Sequence, residues 1–430
     1  MKIVHIVPGS GDTFYCQNCM RDRDLIRALR ALGHDVILAP MYLPMFLDGD
    51  DISSGAPVFY GAVGVYLAQK LPWLGSAPPW LRRLMDSRSL LGWIAKKAGT
   101  TRASGLEDMT LSVLKGESGG QSGELDRLVA WLKNEIKPDV VHLSNALLLG
   151  LAKRIRLELG VPVVCTLQDE DTWVNTMESG AAAEAWRIMA GRSDDVAAFV
   201  SVSCYYKGII RARMQIADEK VHVIPIGINP AGCEEAPLDE NRPAIGYLSR
   251  MSEALGLGVL AEAFAAIRAN GRVANLKLKI MGGHTPDDRP FLARLRRTLV
   301  QKGIAPDVEF CSSFDKAIRL EFLRSLSVLS VPVRRPEAFG LFILEALASG
   351  VPVVQPAIGA APELVEATGG GVCYEPNDAE ALARELEGLL LDPARARRLG
   401  RAGRDVVLRD FTVQKMAERM QEVYRKCLGK

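Results

Sequence analysis

"LSVLSVPVRRPEAFGLFILEALASGVPVVQP", residues 326–356, carries the pattern that decides the fold. "LSVLSVPV" reads as a strand, "RRPEAFG" as its exit loop, and "LFILEALASG" as a helix stopped by Gly350. "VPVVQP" then reads as the next strand. A strand, a helix and a second strand in that order make a right-handed parallel unit. The near-continuous Val and Leu runs suit strands covered on both faces.

The same rhythm extends in both directions. "KIVHIVP", "DVILAP", "DVVHLS", "VPVVCTL", "AFVSVS" and "VHVIPIG" are strand-like in the first half, and "AIGYLS", "LKLKIMG" and "VEFCSS" in the second. Strands alternating with helical patterns predict an α/β protein with parallel sheets. Two such series predict two Rossmann-like, doubly wound domains. They are assigned to residues 1–235 and 236–410, with the boundary in the Pro-, Gly- and acid-rich stretch Ile228 to Ala244. Val413, Met416, Met420 and Val423 recur at helical spacing. A C-terminal helix over 411–430 is therefore expected to return to the first domain.

One region breaks the rhythm. Residues 59–123 interleave Trp73, Trp80 and Trp93 with basic residues and end in "KGESGGQSGE", which reads as a mobile loop. Two readings stand: amphipathic helices completing the first domain, or an acceptor lid or membrane-surface patch, the latter with peripheral membrane contact through 59–98.

Composition narrows the class. Hydrophobic residues make up 48% and charged residues 24% of 430 positions, as in globular proteins. A formal net charge of +2 supplies no basic field for nucleic acid. The apolar run before Pro8 is too short for a signal peptide, and no run of 18 apolar residues suggests a membrane span. A cytoplasmic protein is expected, at most peripheral at the inner membrane face. Eight scattered cysteines make a disulfide framework unexpected.

In an open parallel sheet, ligands bind beyond the carboxyl ends of the strands, which here selects the "PEAFG" loop. The helix start after it offers free N–H groups and a positive dipole end, suited to phosphate. Ala338 and Gly340 are small enough to let a diphosphate approach the main chain. Glu345 lies five residues past Gly340, roughly 7.5 Å along the axis. That is the reach from a diphosphate to a ribose, whose hydroxyls a carboxylate can accept. Glu337, on the loop, can face the sugar. Apolar neighbours surround Glu345, so a buried carboxylate there without a ligand is costly.

Glu337, seven intervening residues, Glu345 and "ALASGVPVV" resemble the signature of the retaining glycosyltransferases of family four, with the GT-B architecture. The resemblance continues through Gly359, Glu363 and "NDAEALA", and takes in "KVHVIPIGIN" and "IGYLSRMSE". It implies two Rossmann-like domains facing a deep cleft, a nucleoside-diphospho-hexose donor (UDP-, GDP- or ADP-linked), and no metal or other cofactor. By resemblance, Glu337 contacts the donor sugar, Arg250 neutralises the diphosphate, and Phe339, Gly340 and Leu341 offer backbone N–H groups. Glu345 holds the ribose, and Gly282 and Gly11 border the donor. Asp12, His142, Gln168, Asp169 and Glu170 are the acceptor-side candidates.

Three departures from the family pattern stand out. Relatives carry a Lys shortly after the Arg matched by Arg250, where this chain has Leu255. A missing cation beside a leaving diphosphate removes several kcal/mol of transition-state stabilisation unless Arg334, Arg335 or Arg250 compensates. Ser144 and Gln168 stand where some relatives have histidines. A front-side retaining transfer tolerates this, because the departing phosphate can take the acceptor proton.

The first loop, "VPGSGDTFYCQNCMRD", gives only a partial phosphate motif. Its Cys16 and Cys19 read as plain thiols or acceptor-shaping residues, with redox and metal roles as the alternatives. The function expected is a retaining hexosyltransferase acting on a small molecule, lipid or glycan. The alternatives are a nucleotide-sugar-binding or regulatory protein with little turnover, and a glycoside phosphorylase of the same architecture.

Overall fold

The computed structural model describes the chain apart from residues 10–13, 43–45, 48–49, 52–56, 60–105, 312 and 430. It forms two compact units. The first comprises Met1–Asp12, Asn18–Pro225 and Met416–Lys430, and the second comprises Thr13–Gln17 and Ile226–Lys415.

The first unit holds six parallel strands: β1 (Lys2–Val7), β2 (Asp35–Pro40), β3 (Val140–Leu143), β4 (Val163–Leu167), β5 (Ala198–Ser201) and β6 (Val221–Val223). Their order is β2-β1-β3-β4-β5-β6. The second unit holds β7 (Ala244–Leu248), β8 (Lys277–Met281), β9 (Val308–Phe310), β10 (Val328–Leu329), β11 (Val353–Pro356) and β12 (Gly371–Tyr374). Here the order is β9-β8-β7-β10-β11-β12, again parallel throughout. Each order reverses once, between β1 and β3 and between β7 and β10. Such reversals splay the crossover helices to opposite faces and leave a crevice at the strand ends.

Four helices matter below: α1 (Gln17–Ala31), α2 (Lys316–Arg324), α3 (Leu341–Ala348) and α4 (Val413–Cys427). The cores form as the sequence periodicity dictates. Strands β3, β4, β5, β7 and β11 are buried at every position. On α4, Met416, Ala417, Met420, Val423 and Tyr424 are buried. This is one stripe at 3–4 spacing, with Val413 left outside it.

The stretch "KGESGGQSGE" departs from its reading as a mobile loop. A 3-10 turn, Gly116–Ser118, and the helix Ser122–Trp131 run through it. Glu117 anchors the turn, pairing with Lys153 at 2.9 Å and Arg192 at 3.0 Å. The three tryptophans and most of the 59–98 surface lie outside the described residues. Among the described residues, no helix is long and apolar enough to cross a membrane.

Candidate active site

The switch point of the second sheet is built by three strand exits. Strand β7 runs into Ser249 and Arg250, and β8 into Gly282. Gly282 has φ +136°, and a Cβ there would sit 2.1 Å from the Ser249 carbonyl oxygen. Any side chain would force these two exits apart. Tyr247, buried in β7, donates to the carbonyls of Arg250 at 2.8 Å and Leu255 at 3.3 Å, fixing the turn between them. Burial, and then the charge of Glu337, push the Tyr247 phenol well above its usual range, so it remains a donor. The Arg250 guanidinium lies 3.8 Å from Asp288. Asp288 in turn accepts from the Thr285 N–H and hydroxyl, both at 2.8 Å.

The exit of β10 is held by its main chain. Val333 C=O accepts from the Asn377 amide at 2.9 Å, and Arg334 N–H donates to Ala254 C=O at 3.0 Å. Glu337 C=O accepts from Ala360 N–H at 3.0 Å. Gly359, at φ +64°, leaves room for this, since a Cβ there would come within 2.6 Å of the Glu337 nitrogen. The half-buried Glu337 side chain is therefore carried on a pinned loop. Phe339 is buried, and Gly340 immediately precedes α3.

Every residue of α3 except Glu345 is buried. Its larger apolar side chains contribute about 1.5–3 kcal/mol each, which fixes where the helix start points. Glu345 does not depend on a ligand for partners, contrary to the sequence reading. Its Oε1 accepts from Arg319 Nε at 3.0 Å, and its Oε2 accepts from the Tyr15 hydroxyl at 2.6 Å. Arg319, on α2, is also anchored to Phe314 C=O at 2.6 Å. The Leu341 N–H donates to Gln17 Oε1 at 2.7 Å. Arg250, Gly282, Glu337, Phe339, Gly340, Leu341 and Glu345 thus all belong to the second unit. Sequence reasoning missed Arg319, Tyr15 and Gln17. Nothing in the helical spacing of "DKAIRLEFLR" marks one arginine as buried.

Leu255 is half-buried in the turn before Gly256, its N–H bonded to Ser252 Oγ at 3.3 Å. Arg334 flanks that turn through its bond to Ala254, and its guanidinium lies 3.9 Å from Glu253.

In the first unit the acceptor-side candidates behave differently from one another. His142 is fully buried, with Nδ1 bonded to the Tyr424 hydroxyl at 2.5 Å and Nε2 to Thr166 Oγ1 at 2.8 Å. Burial first, then the neighbouring His5 and Arg21, hold it well below the usual imidazole range. Both ring nitrogens serve a buried polar knot, not an acceptor. Glu170 is also buried, accepting from Ala146 N–H at 2.8 Å, Gln168 N–H at 2.9 Å and the Tyr206 hydroxyl at 2.7 Å. Burial raises its pKa against those bonds. It clamps the exits of β3 and β4 together, and the Gln168 amide adds a bond to Ser144 C=O at 2.8 Å. Asp169, half-buried at φ +57°, is the one described member of the group near the surface. Gly11 and Asp12 lie outside the described residues. Cys16 and Cys19 are disulfide-bonded, contrary to their reading as plain thiols, and the other six cysteines form no disulfide.

Residues 119–231 match the family model "Glycosyltransferase Family 4", and residues 233–406 match "Glycosyl transferases group 1". The chain belongs to glycosyltransferase family 4. Among its relatives is the alpha-maltose-1-phosphate synthase of Mycolicibacterium smegmatis, 28% identical over 59% of this chain and 66% of the relative. A GDP-mannose-dependent phosphatidylinositol monomannoside mannosyltransferase of the same organism is 31% identical over 43% of this chain and 48% of its own length. The matches therefore span just under two-thirds of the first relative and about half of the second. Sucrose-phosphate synthase from Thermosynechococcus elongatus shares the fold with TM-score 0.73 at 19% identity, covering 100% of this chain and 99% of that one. Anabaena HepE in complex with UDP does so with TM-score 0.69 at 15% identity, covering 99% and 100%. The two six-stranded parallel sheets are those of the GT-B architecture.

Proposed function

We propose that this protein transfers a hexose from a nucleoside-diphospho-sugar to an acceptor hydroxyl, with retention at the anomeric carbon. The observation that carries the proposal is the convergence of Arg250, Gly282 and the start of α3 at one switch point, with Glu337 before that start and Glu345 after it. The N–H groups of Phe339, Gly340 and Leu341 and the Arg250 guanidinium would face the diphosphate, whose charge grows as it departs. Glu345 would accept the ribose hydroxyls, and Glu337 would hold the hexose near its reacting face.

The bond from the anomeric carbon to phosphate oxygen breaks, its electron pair leaving with the phosphate. The acceptor oxygen bonds to the same face, and its proton passes to the departing phosphate oxygen. No protein base is needed, which agrees with both nitrogens of His142 being engaged.

A second reading, donor binding with little turnover, is favoured by Leu255 at the position of the missing cation. Thermal shifts with UDP-, GDP- and ADP-sugars, followed by assay of nucleoside diphosphate release with candidate acceptors, separate the two. Release supports transfer, and binding without release supports the second reading. Shifts with sugar phosphates alone point to a phosphorylase. Glu337→Ala abolishes transfer and Glu345→Ala mainly weakens donor affinity. Unchanged kinetics in both variants would defeat the site assignment.

A further inference from the structure

The segment Thr13–Gln17 belongs to the second unit, although the chain on either side of it belongs to the first. Its described residues meet the donor-site features one after another. Phe14 forms an antiparallel bridge with Gly283, and its ring lies 5.8 Å from the Arg250 guanidinium. Tyr15 N–H donates to Gly282 C=O at 2.8 Å, and its hydroxyl donates to Glu345 Oε2 at 2.6 Å. Gln17 Oε1 accepts from Leu341 N–H at 2.7 Å.

These contacts imitate a nucleotide. The phenol stands in for a ribose hydroxyl on Glu345, and the amide oxygen stands in for a phosphate oxygen on the α3 N-terminus. Tyr15 is 2% exposed, and burial together with the Glu345 charge keeps its phenol protonated and donating. The Cys16–Cys19 crosslink ties the residue after Tyr15 to the first turn of α1, each cysteine half-buried.

We propose that residues 14–17 form a strap that competes with the nucleotide for Glu345 and the Leu341 N–H, and that the Cys16–Cys19 disulfide is a redox-modification site latching it. This inference rests on the donor site proposed above. In the latching cycle a dithiol reductant breaks the Sγ–Sγ bond. Two electrons and two protons arrive on Cys16 and Cys19, and the reductant is oxidised to its own disulfide. A disulfide restricts the conformations of the chain it closes, so the crosslinked strap is held ready for its contacts. Reduction frees residues 14–17 to leave. When the competent state is only fractionally populated, apparent affinity falls by that fraction.

The test is titration of UDP, GDP and ADP into the full chain with and without dithiothreitol, with thiol alkylation confirming two additional free cysteines after reduction. Reduction should tighten nucleotide binding about tenfold. Tyr15→Phe, which removes a hydrogen bond to a charged group, should tighten binding to the oxidised protein by a similar factor. Cys19→Ser should bind in the tight mode without reductant. Equal affinities in both redox states overturn the latch and leave the donor site standing. Weaker binding by Tyr15→Phe overturns the strap as a competitor. No binding of any of the three nucleotides in either state overturns the donor site and the strap with it.

Discussion

Replacing Arg319 with Met removes one member of a buried ion pair and leaves the other in place. The Arg319 side chain is 4% exposed and that of Glu345 15%, with Nε 3.0 Å from Oε1. Breaking such a pair from one side typically costs 3–5 kcal/mol, because the remaining charge is stranded. Here Glu345 keeps the Tyr15 hydroxyl and a little solvent, which places the cost near the lower bound. The lost bond to Phe314 C=O adds about 1 kcal/mol, for a total of about 4 kcal/mol. For a unit of this size, that is a fall of roughly 10 °C in the midpoint of its thermal transition. The double variant Arg319→Met/Glu345→Gln removes the stranded charge and keeps an acceptor for Tyr15, so it should recover about half of the loss. Circular dichroism melts of the wild type, both singles and the double complete the cycle. A single-variant loss below about 1 kcal/mol with no coupling between the positions would refute the claim that Arg319 sustains Glu345.

Three further outcomes follow from the structure. Leu255→Lys should raise the rate of nucleoside diphosphate release at least tenfold if the missing cation limits turnover, and an unchanged rate would show that Arg334 already serves. His142 resists protonation when folded, whereas the unfolded chain takes up a proton below about pH 6.5, so stability should fall as pH drops through that value. His142→Gln should flatten that slope in urea titrations. At Glu117, burial raises the pKa, but hydrogen bonds from Lys153 and Arg192 outweigh it and hold the carboxyl at about 2. Its contribution is complete above its ordinary value near 4.5 and lost as pH falls to about 2; Glu117→Gln should remove that acid sensitivity.

Much of the fold was legible because buried parallel strands must be apolar along their whole length. Eleven of the twelve strands in the two six-stranded sheets coincide with Val-, Ile- and Leu-rich runs read from the sequence. The twelfth, β12, is "GVCY", which follows Gly369 and Gly370 and carries a single β-branched residue, so it did not stand out. The candidate site was legible where its residues follow local order, since Glu337, Gly340 and Glu345 are spaced by one loop and one helix. Its supporting groups were hidden because they come from far along the chain, Arg319 from α2 and Tyr15 from the segment after β1. The same limit applied to His142 and Glu170. Both sit at strand ends, where structural and ligand-facing roles stand as alternatives in the sequence, and their tertiary partners reveal them as buried structural groups. The disulfide was missed because scattered cysteines argue against a framework, while a single local crosslink needs no framework.

The central claim is that a nucleoside diphosphate lies on the start of α3 with its ribose on Glu345. A crystal structure of the protein with UDP, GDP or ADP, whichever binds best, tests it directly. The account predicts diphosphate oxygens on the Gly340 and Leu341 N–H groups, ribose hydroxyls on Glu345, and Tyr15 displaced from that carboxylate. A nucleotide bound elsewhere, with Tyr15 still on Glu345, would contradict it.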